Sequence, residues 1–351
     1  MKVQRIATTL ALVILPLGLI EHVAQANTSD VSFAEKHKRD AQEREKFNKL
    51  FRRSPQEKRS IDNTKITPSL PNSLTILHNF NSDTQSGACP KGGLTLGRDG
   101  YLYGTTSGCG FLDGTIFKIT SNGLFKTLFK FNGNNGSVPT AKLTLGAGQN
   151  LYGSTEEGGS SGDGSIFKIS TSGVFDNLFS FNFNNGPTQP QGALVLGKDG
   201  NWYGTSVYGG KGNNCFGTCG TIFKFVPGGR LQTVINFNDT NGQSPYAGLA
   251  LYTDGTLYGT TYGEADFGNA ADKYGTVFKF NPKTGKLTTL VRFKKSNKEP
   301  IQPQTALTYN PNDRYFYGTT TRGGLYGGGT LFKMTPAGSL KVVYNFRKAL
   351  I

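Results

Sequence analysis

The chain reads as an all-β protein, a β-propeller of about five four-stranded antiparallel blades preceded by a signal peptide and a charged N-terminal arm. Three observations predict this. The segment Leu102-Tyr103-Gly104-Thr105-Thr106 returns four more times at a spacing of roughly 50 residues, a period that belongs to propellers and solenoids. Each copy is bracketed by the same short apolar runs and glycine turns. The composition, with Gly 48, Phe 25 and Tyr 15, suits many short strands joined by tight turns and not a helical enzyme domain.

The N-terminus has a basic start, Met1-Lys2-Val3-Gln4-Arg5, an apolar run from Ile6 to Ile20, and Ala24-Gln25-Ala26 before Asn27. That is the pattern of a secretory signal peptide over residues 1–26, with Pro16 and Gly18 interrupting a run too short for a comfortable membrane span. Nothing later is long and apolar enough to cross a bilayer, so no membrane span is expected after cleavage, and the protein is expected to be secreted or periplasmic. Residues 27–72 are dense in charge and free of glycine, and their only apolar stripe is Phe33, Phe47, Leu50 and Phe51. This reads as a charged linker or marginal helix, mostly solvated. Its functional reading is a basic arm in contact with an anionic polymer. The formal net charge of +15 points the same way, although Lys and Arg are spread along the whole chain.

Residues 73–351 carry the repeats. The Leu-Tyr-Gly-Thr-Thr strand recurs as Leu151 to Thr155, Trp202 to Ser206, Leu257 to Thr261 and Phe316 to Thr320. Before it lies a short apolar run such as Gly93-Leu94-Thr95-Leu96-Gly97, ended by Asp99-Gly100, Asp199-Gly200 or Asp254-Gly255, the chemistry of a type I′ hairpin. After it comes Gly114-Thr115-Ile116-Phe117-Lys118, repeated through Lys168, Lys224, Lys279 and Lys333. A fourth strand such as Phe125 to Phe131 or Leu287 to Phe293 completes the unit. Strands a, b, c and d, each about five to seven residues long, cannot bury a core as one isolated sheet. Stacking the sheets around an axis covers both faces of each. Strand d occurs a sixth time, as Leu74 to Phe80, so one d strand closes the ring and the other is surplus or lies at an edge.

This ordered set of motifs over about 73–347 resembles the Gloeobacter/Verrucomicrobia (GloVer) repeat of bacterial extracellular proteins. The resemblance implies an exported, propeller-like protein. It implies no established activity, and no catalytic residue is carried over from it.

Alternating strand direction places the a-b and c-d turns on one face and the longer b-c and d-a loops on the other. Function on rigid scaffolds usually sits where loops are long and unlike one another. Cys89 in a d-a loop and Cys109 in the following b-c loop both fall on the loop face and are expected to pair; Cys215 and Cys219 share one b-c loop and are expected to pin it. The five strand-c lysines are read as rim ion pairs with Asp99, Asp199, Asp254 and Asp313, the second copy having Gln149 instead. Phe111, Tyr208, Phe216, Tyr262, Phe267 and Tyr326 in the b-c loops are the candidate binding aromatics, able to stack on a sugar ring or anchor a protein partner.

A propeller glycosidase needs two or three carboxylates converging on the axis. The loop-face ends of the inner strands supply none, and only Glu156 and Glu157 stand nearby, adjacent on one strand and pointing to opposite sides. Asp113, Asp163, Glu264, Asp266 and Asp272 follow no EF-hand pattern, so no metal site and no cofactor is predicted. The reading is a non-enzymatic binding or interaction module for surface glycans or proteins. The alternative is a carbohydrate-active enzyme with a carboxylate site on the loop face.

Overall fold

The computed structural model describes residues 75–80, 87–110, 112–210, 219–238, 240–263, 274–294 and 299–348. The expected signal peptide (1–26) and charged arm (27–72) lie outside the described residues. Blade 1 consists of β1 (Thr95–Leu96), β2 (Leu102–Thr106), β3 (Thr115–Ile119) and β4 (Phe125–Lys130). Blade 2 consists of β5 (Thr144–Leu145), β6 (Asn150–Thr155), β7 (Ser165–Ser170) and β8 (Phe175–Ser180). Blade 3 has β9 (Val195–Leu196), β10 (Trp202–Ser206), β11 (Thr221–Val226) and β12 (Arg230–Asn236), and blade 4 has β13 (Ala250–Leu251), β14 (Leu257–Thr261), β15 (Thr276–Asn281) and β16 (Lys286–Arg292). In blade 5 both β17 (Pro300–Pro303) and β18 (Thr308–Asn310) pair with β19 (Tyr315–Gly323), which is followed by β20 (Gly327–Met334) and β21 (Leu340–Arg347). All pairings within the blades are antiparallel, in chain order.

Two local expectations are corrected. The inner strands of blades 1 to 4 are paired over two residues rather than five to seven. The chain entering each one runs against a neighbouring blade, where a Cβ on Gly92 would lie 2.7 Å from the Ala141 carbonyl oxygen and one on Gly192 2.5 Å from the Gly248 nitrogen. The Asp-Gly turns are three-residue hairpin loops rather than type I′ turns. Gly100 alone is left-handed (φ 82°), with Gly100 N–H donating to Gly97 O and Gly97 N–H to Tyr101 O. The Asp99 carboxylate instead accepts from the Tyr101 N–H and, at 2.6 Å, from the Tyr103 hydroxyl.

That second bond also revises the expected rim ion pairs. Tyr203 and Tyr317 donate to Asp199 and Asp313 as Tyr103 does to Asp99. Lys224 joins Asp199 at 3.2 Å, but Lys118 reaches the Thr171 carbonyl of the next blade, and Lys168 pairs with Asp176 on its own blade at 2.7 Å. A tyrosine hydroxyl growing from the strand beside the turn is closer and stiffer than a lysine, so it takes the carboxylate first.

The glycine of the repeated Leu-Tyr-Gly-Thr-Thr strand is fixed by packing within the sheet. Gly104 is paired with Phe117, and a Cβ at residue 104 would lie 2.5 Å from that ring and 2.8 Å from Leu94. The same crowding recurs at Gly153, Gly204, Gly259 and Gly318. With its ring laid over the glycine, the strand-c Phe presents an apolar face to the preceding blade, whose d strand ends in another Phe. Phe131 meets Phe167 at 5.3 Å, Phe181 meets Phe223 at 5.3 Å, Phe237 meets Phe278 at 5.2 Å and Phe293 meets Phe332 at 6.1 Å. Four apolar cores, one at each of these junctions, hold the blades together.

The surplus sixth d strand finds its place by the same contact. Phe80 sits 5.1 Å from Phe117, and His78 stacks flat on Phe125 at 3.9 Å, as Phe129 does on Phe175 one blade later. Residues 75–80 thus lie on blade 1 as the outer strand of a preceding blade would, yet they join no sheet.

Substituting Gly204→Ala, which puts a Cβ 2.4 Å from Phe223, is expected to lower unfolding free energy by about 1–3 kcal/mol through overpacking. Denaturant unfolding of the repeat domain measures this, and the double variant Gly204→Ala/Phe223→Leu should recover part of the loss.

Candidate functional site

The loop face is built on one recurring backbone device. In every d-a connection a non-glycine residue directly before a proline is left-handed: Cys89, Val138, Gln189, Ser244 and Gln302, with φ between 54° and 59°. Such a conformation costs about 1–3 kcal/mol unless its surroundings hold it. At three of them two backbone hydrogen bonds do so. Val138 donates to Asp113 O of the preceding b-c loop and accepts from Glu156 N, Gln189 spans Asp163 O and Val207 N in the same way, and Ser244 spans Cys219 O and Tyr262 N. The prolines at positions 90, 139, 190, 245 and 303 were the sequence signal for this device, and the repeat reading did not use them.

Behind each anchor two buried hydroxyls close the root of the b-c loop. Thr106 and Thr115, Thr155 and Ser165, Ser206 and Thr221, Thr261 and Thr276, and Thr320 and Thr330 all meet at 2.7–3.0 Å. From these fixed roots the loops diverge, from eight residues in blade 1 to fourteen in blades 3 and 4.

The expected disulfide joins Cys89 to Cys109, with Cα atoms 5.4 Å apart, and ties a d-a loop to the b-c loop of blade 1. Cys219 is disulfide-bonded, and Cys215 lies outside the described residues. Of the candidate aromatics, Phe111, Phe216 and Phe267 lie outside the described residues. Tyr208, exposed on blade 3, is held by backbone bonds to Thr188. Tyr262 on blade 4 is half-buried and lies edge-on to Tyr246 at 5.5 Å. Tyr326 on blade 5 is exposed, with the Arg347 guanidinium 5.3 Å from its ring. Each of the three therefore sits on its own blade with its own neighbours.

Glu156 has a structural role that the sequence did not reveal. Threonines at the equivalent strand-b position bond across to the next blade, Thr105 to Ala141 O, Thr205 to Ala247 O and Thr260 to Thr305 O. Blade 2 has Ser154 there, and its buried hydroxyl has no partner. The missing link between blades 2 and 3 is supplied two residues on, where Gln191 Nε2 donates to Glu156 Oε1 at 2.7 Å. Glu157 is held by paired backbone bonds to Ser137. Asp163 accepts from the Phe183 N–H, and Glu264, Asp266 and Asp272 lie outside the described residues. Among the described residues no group of three or more His, Cys, Asp or Glu is placed to hold a metal, and no helix is long and apolar enough to cross a membrane.

The same junction opens on the opposite, turn face into a cleft of about 440 Å³ lined by Tyr152, Trp202, Lys168, Asn177 and the turn Pro227-Gly228-Gly229. Three departures from the repeat create it. Gln149 stands where blades 1, 3 and 5 have the Asp that holds the tyrosine hydroxyl, Lys168 pairs with Asp176, and the turn offers only the Pro227 ring, since Gly228 and Gly229 have no side chain. Tyr152 and Trp202, the only tryptophan in the chain, stack at 4.2 Å to form its apolar wall.

The neighbouring turn titrates in the acid range. Burial of the Asp199 carboxyl opposes ionisation, but hydrogen bonds from Asn201, Tyr203 and Lys224 outweigh it and hold the group down at about 2. A folded-state value below that of the unfolded chain stabilises the fold at neutral pH, and that stability is lost as pH falls from about 4 toward 2. Asp199→Asn is expected to remove this part of the acid transition, read as a smaller change of unfolding midpoint between pH 5 and pH 2. Breaking the loop-face disulfide, which closes a separation of 20 residues, should cost about 3 kcal/mol, and to the same extent in Cys89→Ser, Cys109→Ser and the double variant.

Solved structures are similar to the chain at low identity. A protein of unknown function from Bacteroides thetaiotaomicron matches with a TM-score of 0.50 and 14% identity over 76% of this chain and 60% of its own. A gluconolactonase from Xanthomonas campestris matches at 0.46 and 13%, over 74% of this chain and 76% of its own. TolB from Acinetobacter baumannii matches at 0.44 and 15%, over 69% of this chain, which spans about half of TolB (51%). No curated protein matches the sequence. The repeat itself is matched over residues 63–271 and 216–350, and on that match the chain belongs to the Gloeobacter/Verrucomicrobia repeat family.

Proposed function

We propose that the protein is an exported β-propeller that acts as a non-enzymatic binding or interaction module for surface glycans or proteins, with its ligand met on the loop face. The observation that carries this reading is the contrast between the faces. Loops of eight to fourteen residues rise from roots closed by the same pair of hydroxyls on one side, while the hairpins on the other are nearly alike. Rigid roots with unlike loops let a surface specialise at low entropic cost, and exposed Tyr208 and Tyr326 supply stacking or anchoring groups. The charged arm adds a salt-sensitive contact with an anionic polymer.

A second location is favoured by a specific observation, the aromatic-walled cleft between blades 2 and 3, where Asn177 and Lys168 offer polar groups to a small sugar. The enzyme reading rests on Glu156 or Glu157. The bond from Gln191 gives Glu156 a bridging role that needs no chemistry.

A glycan array at low and physiological salt, with and without residues 27–72, tests the proposal. Specific binding that survives salt and loss of the arm, and weakens in Tyr208→Ala or Tyr326→Ala, is the expected result. Binding that disappears with the arm removes the propeller from the interaction. Because Trp202 is the only tryptophan, its fluorescence reports the cleft: a ligand on the loop face leaves it unchanged, and one in the cleft shifts it. Loss of a glycosidase activity in Glu156→Gln/Glu157→Gln would establish the enzyme reading instead.

A further inference from the structure

The junctions between blades define which surface fits which. Toward its successor a blade presents the tyrosine of strand b, the branched residue of strand c and the aromatic or apolar end of strand d. Toward its predecessor it presents the leucine of strand a and the phenylalanine of strand c. Four junctions satisfy both sides.

At blade 5 the forward surface is uncovered among the described residues. Tyr344 is 57% and Phe346 42% exposed, whereas Phe131, Phe181, Phe237 and Phe293 at the equivalent d-strand ends are at most 6% exposed. Leu325, Tyr326 and Val343 beside them are exposed as well. At blade 1 the rear surface is half covered. Residues 75–80 shield Phe117 and Phe125, but Leu94 is 43% exposed while its counterparts Leu143, Leu194, Leu249 and Leu307 are 7% or less. Leu96, Ile76 and Leu77 extend this second apolar patch. A monomer seldom leaves apolar surface of this kind without a partner.

We propose that blade 5 of one molecule docks on blade 1 of a second copy, with Tyr344 and Phe346 taking the seats of His78 and Phe80, so that copies join head to tail. The second copy is the fitting occupant because the surface that complements blade 5 is the rear of a blade of this same repeat, and blade 1 carries one that is not fully used. The contact reuses a geometry already present four times in the molecule. Residues 75–80 are a displaceable plug, for they stack through two rings, form no ladder, and leave His78 Nε2 buried without a partner. The net charge of +15 opposes self-association, so added salt favours it. An interface between two different surfaces is heterologous and extends to rings or filaments unless one surface is blocked.

Size-exclusion chromatography with light scattering on the mature protein, over a range of concentration and salt, tests this. Wild type is expected to exceed the monomer mass, increasingly so at higher concentration. Tyr344→Glu/Phe346→Glu and Leu94→Glu/Leu96→Glu are each expected to remain monomeric. An equal mixture of the two is expected to reach twice the monomer mass and no more, because one intact contact survives and both free ends are blocked. That dimer also shows that both variants are folded. His78→Ala/Phe80→Ala should move assembly to lower concentration. The proposal is overturned by a wild type that stays monomeric throughout, by a mixture that stays monomeric, or by assembly lost in the blade 5 variant but kept in the blade 1 variant, which would mean that blade 5 pairs with itself. Cysteines placed at residues 94 and 344 that cross-link only within one chain would overturn it too, by showing that the ring closes on its own blade 1.

Discussion

The contact on which the rest of the structure depends is the seating of one blade's terminal d-strand phenylalanine against the next blade's strand-c phenylalanine. That second ring lies in place only because the residue paired with it is glycine. A side chain at Gly104 or its equivalents would lift the ring and open the junction. Sheets of four short strands have too little surface to be stable singly. Each such contact therefore joins two sheets that need each other, and the repeat is the chemical record of that need.

Departures from the repeat are where the molecule becomes individual. The junction between blades 2 and 3 has lost the threonine hydroxyl bond and the aspartate under the tyrosine, and it has replaced the first with Glu156 and Gln191. It did not replace the second, and a cleft remains. Where an interaction is substituted, the residue involved is structural even if it looks chemical; where none is substituted, space is left for something else.

The same logic governs the two ends of the blade series and the loop face. A repeat protein ends on surfaces designed for a neighbour, and here, among the described residues, one end leaves Tyr344 and Phe346 exposed while the other uses residues 75–80 to cover part of it. On the loop face, the left-handed residue before each proline is strained by itself, and at Val138, Gln189 and Ser244 neighbouring loops hold it by bonds from both sides. The d-a and b-c loops of adjacent blades are thus one hydrogen-bonded belt, and long loops can vary above it without loosening the blades below.

Repetition made the architecture legible. Period, strand order, the faces to which loops belong and the pairing of Cys89 with Cys109 all follow from local patterns copied five times, since each copy confirms the others. Contacts between copies were not legible. The sequence shows Asp99 near both Tyr103 and Lys118, but only the folded strand decides that the hydroxyl takes the carboxylate. It shows Glu156 beside Glu157 in a loop, but not that Gln191, 35 residues away, reaches across to hold one of them. It shows six d strands for five blades, and the tertiary structure alone decides which is left over, because the answer depends on which ring packs on Phe117. Local sequence determines what each blade is; side chains distant in the chain decide how the blades meet, since burial and hydrogen bonding act on neighbours in space.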